Sequence, residues 1–137
     1  MKITLKNNEL IPAIDFLQNM PIKGKDSRHR TKLVKQLQGA FDELVDAEKV
    51  LMGEFDLLDE KNELLPVKKQ DKEVVKEFQK EQKALYEEEV VIEGGVFAKN
   101  FDEMPRILNE YEGELSGAQA EIYDRLLDEM EKEADEK

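Results

Sequence analysis

The chain has 137 residues, a formal net charge of −12, 39% charged residues and no cysteine. That length holds one domain with a sizeable core. The missing cysteines exclude disulfides, thiolate metal sites and cysteine nucleophiles, and the charged share points to helices with long solvated faces rather than a compact β fold. Leu, Ile, Val and Phe recur at helical spacing throughout, so the chain is not a disordered polyanion.

The charge is two-ended. Residues 1–35 hold eight basic and three acidic side chains, net +5, and the remainder holds 13 basic and 30 acidic, net −17. The opening residues place Glu9 and Asp15 where a signal peptide would be apolar, and no charge-free run approaches the ~20 residues of a membrane span, so a protein in solution is expected.

In chain order, Ile3 and Leu5 alternate with polar neighbours and predict a short strand. Asn7 or Asn8 can cap a helix from about Glu9 to Asn19, with Pro12 in its first turn. After the breakers Pro21 and Gly24, Asp26 or Ser27 can cap a long periodic run to about Glu60. On a 100° wheel Leu33, Val34, Leu37, Ala40, Phe41, Leu44, Val45, Leu51, Met52, Phe55 and Leu58 share one sector, while Lys35, Gln38, Asp42, Asp46 and Lys49 fall outside it. Such a helix, about 50 Å long, outreaches a small body and must bend or project, with Gly39 and Gly53 as weak points.

A turn around Asn62 and Pro66 leads to a second helix, Gln70 to Glu87, and the two make an antiparallel hairpin. Only the second half of the long helix can be covered by it, so the expected organisation is an arm over about 42–87 and a body from 1–41 and 88–137. Val90 to Ile92, ending at Gly94-Gly95, read as a strand that pairs with Ile3 to Leu5. Asp102 can cap a short helix. "SGAQ" resembles a capping box at Ser116 before a last helix from about Ala118 to Lys132, with a fraying tail. The predicted fold is mostly α with a two-stranded sheet and a projecting helical hairpin.

No catalytic signature emerges. "KGKDS" lacks the spacing of a phosphate loop, and His29 sits between Arg28 and Arg30 without a nucleophile or acid at triad spacing. Asp56, Asp59, Glu60 and Glu63 have an i, i+3 spacing that holds magnesium in some helical pyrophosphatases. Here they fall at the hairpin tip, without a facing pair and with Lys61 among them, and a solvated face is the plain reading. No cofactor or metal is expected.

Two features point to binding. The basic stretch "KGKDSRHRTKLVK", residues 23–35, carries Arg28, Arg30, Lys32 and Lys35, and the first three of these sit at a helix start, where the dipole disfavours cations by roughly 0.3–1 kcal/mol each. The plain reading is an internal clasp closed by the final helix or by Glu87 to Glu89. A carboxylate-rich patch on another protein, or on a second copy, is the alternative. Nucleic acid is the weakest choice, given the net charge and the absence of aromatics in the stretch. Val50 and Leu57 fall opposite the apolar sector, one heptad apart on the arm, and suggest a second contact surface, most simply a homodimer through the arm. Glu48, inside the apolar sector, is expected to pair with Lys80 as a partly buried register device.

The order "LKNNELIPAIDFLQNMPIKGKDSRHRTKLVKQLQ", "EEEVVIEGG", "ELSGAQAEIYDRLLDEME" resembles a family of small uncharacterised proteins of phages and prophages of Gram-positive bacteria, over nearly the whole chain. The resemblance implies an origin among late genes near tail and lysis functions, and a place in the host cytoplasm or the virion. It carries over no active-site residue. The functional expectation is a non-enzymatic, protein-binding accessory or assembly factor. The alternative is an acidic nucleic-acid mimic that occupies a host DNA-binding protein; Lys68, Lys69, Lys72, Lys76, Lys80 and Lys83 count against it on the returning helix.

Overall fold

The computed structural model describes the chain from residue 2 to residue 135. Strand β1, Lys2–Lys6, buries Ile3 and Leu5 and exposes both flanking lysines. It pairs antiparallel with β2, Glu89–Glu93, in the register Ile3↔Ile92 and Leu5↔Val90, as the alternation predicts. The same register sets Lys2 opposite Glu93 and Lys6 opposite Glu89, so apolar and charged positions match across the ladder.

A 3-10 turn at Asn7–Glu9 leads into helix α1, Leu10–Asn19. The expected asparagine cap does not form. Asn7 Nδ2 instead donates to the Leu85 carbonyl at 2.9 Å, and the Glu9 carboxylate accepts from the Lys6 amide at 2.8 Å. Helix α2, Gly24–Glu54, starts before Asp26 and Ser27, which lie inside its first turns, and its N-cap is Lys23. At 1.5 Å per residue its 31 residues reach about 46 Å. Every residue assigned to the apolar sector is buried or half-buried, and the five assigned outside it are exposed.

The helix stops at Glu54, six residues short of the expected end, because Asp56 takes the left-handed conformation at φ 55. A compact tip follows. The Leu57 amide returns to the Met52 carbonyl, Leu58 bridges Leu64, and Asn62 makes the turn at φ 62. Helix α3, Lys72–Glu87, is capped by Asp71, whose side chain accepts from the Glu73 and Val74 amides. It packs back on the distal half of α2, where Phe55 and Phe78 meet edge to face at 6.0 Å.

Past β2, Gly94 lies against the backbone of the next turn. A Cβ there would fall 2.6 Å from the Ala98 Cα, and Gly95 has φ +54, so both glycines are required by the turn. The expected helix after Asp102 divides into α4, Ala98–Asp102, and α5, Met104–Glu110, and Asp102 ends the first rather than capping the second. Helix α6, Gly117–Asp135, runs three residues past its expected end; the last two residues of the tail expected to fray lie outside the described residues.

The main core joins the inner face of the sheet to α1, the proximal half of α2, α4, α5 and α6. Phe16, Tyr111 and Tyr123 form its aromatic corner, and the Tyr123 hydroxyl donates to the Leu108 carbonyl.

Candidate functional site

The basic stretch divides by what each cation touches. Arg30 is half-buried, and its Nη1 donates to the Leu17 and Met20 carbonyls at 2.8 and 2.7 Å, satisfying the C-terminal end of α1. A cation there also meets the negative end of the α1 dipole. Lys32 places Nζ 4.7 Å from the centre of the Phe97 ring. Arg28 and Lys35 are exposed. The clasp expected from the final helix or Glu87 to Glu89 is not formed, since among the described residues no ion pair joins these four cations to an acid. The neutralising partners are backbone carbonyls and a ring face instead.

A clasp does exist one turn earlier, with inverted polarity. Asp26 binds Arg106 of α5 through two contacts of 2.9 and 3.4 Å, and Glu103 and Glu110 crowd the same guanidinium. The hydrogen bond from Arg106, with its charge, holds the Asp26 carboxyl below the usual carboxylate range. An acid in the first turn of α2 is also where the helix dipole favours one. His29 has a neighbour across the body: its Nδ1 lies 3.0 Å from Asn100 Nδ2 of α4.

On the arm, Val50 is 63% exposed, as the wheel predicts. It lines a groove of about 190 Å³ with Leu51 and Leu85, and Glu54, Glu81 and Glu88 are part of the same wall. Leu57 is the correction. It is only 3% exposed, because the helix has ended before it and the tip folds it inward, so it offers no surface to a partner in this state. Glu48 is half-buried but does not meet Lys80, which pairs with Glu77. Gln82 donates to Glu48 at 3.3 Å, and Tyr86 faces the same carboxylate. Hydrogen bonding to Glu48, then burial, pushes the Tyr86 phenol up to about 12.

One constellation has no counterpart in the sequence reading. Arg125 and Glu129, four apart on α6, clamp the outer edge of β1: Arg125 donates to the Thr4 carbonyl at 2.9 Å and Glu129 accepts from the Thr4 amide at 3.2 Å. Arg125 also binds Glu9, and Lys132 binds Glu129, which is 8% exposed. The only sequence signal is an i, i+4 charge pair, which many solvated helices share.

Of the tip acids, Asp59 is engaged in the turn, its carboxylate accepting from the Lys61 and Glu63 amides at 2.8 and 3.0 Å. Among the described residues no three His, Asp or Glu converge to hold a metal ion, and no helix is long and apolar enough to cross a membrane.

No solved structure matches the chain. Ribonuclease Y of Campylobacter concisus (strain 13826) is 36% identical over 90 residues, which is 65% of this chain and 17% of that protein. The chain thus spans less than a fifth of that relative, a share that carries no activity across. The family model described as "Protein of unknown function (DUF1617)" matches residues 1–137, and the chain belongs to that family.

Proposed function

We propose that the protein is a non-enzymatic binding protein, an accessory or assembly factor of a phage or prophage, whose arm docks a protein partner. The observation that carries this reading is Val50, an apolar side chain 63% exposed beside Leu51 and Leu85 on a wall with three glutamates. Such a groove fits an amphipathic helix with apolar anchors and basic flanks. Arg28 and Lys35, exposed at the other end of α2, supply a second surface of opposite sign. A late-gene origin and a place in the host cytoplasm or virion are what the resemblance to phage and prophage proteins implies, and they belong to this proposal. The mimicry alternative is disfavoured by sign alternation on α3, where Lys76 pairs with Glu73 and Lys80 with Glu77.

Affinity capture from phage-producing cells tests this reading. The native chain is expected to retain phage structural proteins. Val50→Asp is expected to lose them without a change in melting, because the site is already in solvent. Arg28→Glu with Lys35→Glu reports separately on the basic surface. Identical capture by Val50→Asp would remove the arm from the function. A predominance of host DNA-binding proteins would favour mimicry, and magnesium-dependent turnover of a nucleotide panel would replace both with an enzyme.

A further inference from the structure

The two edges of the sheet are treated differently. Thr4 sends its amide and carbonyl to Glu129 and Arg125, so it makes no ladder bonds with Val91, which lies directly opposite. In an antiparallel ladder such a pair directs the backbone groups of both residues outward. The Val91 amide and carbonyl therefore point away from β1, and among the described residues neither has a hydrogen-bond partner. The same alternation turns the backbone groups of Glu89 and Glu93 outward. Val91 itself is 51% exposed. One edge is closed by a built clamp and the other is open.

Beside the open edge runs a groove of about 520 Å³ between β2 and the flank of α2, where Gly39 and Ala40 keep the wall low. Gly39 lies inside the helix at a cost of about 1 kcal/mol against alanine. No packing requires it, since a Cβ there would meet nothing within 4 Å. Space next to unpaired strand edge is the geometry of strand addition.

We propose that the outer edge of β2 docks an extended peptide segment with Lys or Arg at i and i+4 and apolar residues at i+1 and i+3. The charges come from the register. Residues opposite Glu89 and Glu93 are four apart on the solvent face, and those opposite Val90 and Ile92 face the groove. β1 is itself a segment of this pattern, KITLK, and it pairs with the inner edge of β2 with lysine opposite each glutamate. A second copy of β2 does not suit the site, because antiparallel pairing centred on Val91 sets Glu89 against Glu93 twice.

The test uses the full chain and a capped peptide containing Arg-Val-Thr-Val-Arg, against the same peptide with glutamate for both arginines. Binding of the basic peptide is expected to be at least about tenfold tighter. It should slow exchange of the Val91 and Glu93 amides while leaving Val90 and Ile92, already bonded to β1, unchanged. Gly39→Leu, which has room to fold, is expected to abolish binding by filling the groove. Three results would overturn the proposal: equal affinity for both peptides, no added protection at Val91, or self-association of the chain that Gly39→Leu removes.

Discussion

The body and the arm are built from the same helix but not with the same economy of burial. In the body, α2 has neighbours on several sides, and Leu33, Val34 and Leu37 join a core shared with the sheet, α1, α4, α5 and α6. In the arm beyond Leu44, α2 packs against α3, and the buried hydrophobic side chains among the described residues are Leu57 and Phe78, outside the main core. With so few buried side chains tying it together, the arm is expected to open at a lower free energy than the body.

The contrast is sharpened first by a cavity in the body. Leu126→Ala, at a fully buried site, is expected to lower global stability by about 2–5 kcal/mol in denaturant melts. A smaller loss is expected from Arg30→Met, which leaves the Leu17 and Met20 carbonyls without their donor at about 1–3 kcal/mol, with partial recovery in Arg30→Lys.

The arm should respond to alkali. Tyr86 ionises at its ordinary value of 10.0 when unfolded and at about 12 in the folded protein, so the folded state binds the proton more tightly. Its contribution is fully present below pH 10 and is lost as pH rises from there through about 12. Tyr86→Phe is expected to flatten the pH dependence of the melting of the α3 amides in that window. The smallest effect is a gain: Gly39→Ala should stabilise the chain by about 0.5–1 kcal/mol, since the new methyl meets nothing within 4 Å.

Much of this was legible in the sequence because it is periodic. The apolar sector of α2 holds along the helix, and the pairing of Ile3 to Leu5 with Val90 to Ile92 follows from alternation and from the need to satisfy two short strands. What failed depends on where periodicity stops or on partners with no side chain. A helical wheel carried to Glu60 sets Leu57 on the exposed side, but the helix ends at Glu54, and the reversal at Asp56 is a backbone event with only Gly53 nearby as a hint. Glu48 meets Gln82 and Tyr86 rather than the expected Lys80, because helical faces can be read from spacing but the axial stagger of two helices cannot. Arg30 looked in need of an acid and found carbonyls, which composition does not display. The Arg125 and Glu129 clamp brings together residues more than 120 apart, beyond the reach of local pattern.

The most direct measurement is native-state hydrogen exchange resolved by residue, comparing amides of α3 with those of α1 and α6. If the arm is a thinly packed projection on a self-contained body, α3 amides are expected to exchange through an opening of lower free energy than the body, one that Phe78→Ala lowers further while the α1 and α6 amides keep their protection. A single common opening energy for α3, α1 and α6, shifted together by Phe78→Ala, would contradict that division and make the hairpin part of one cooperative core.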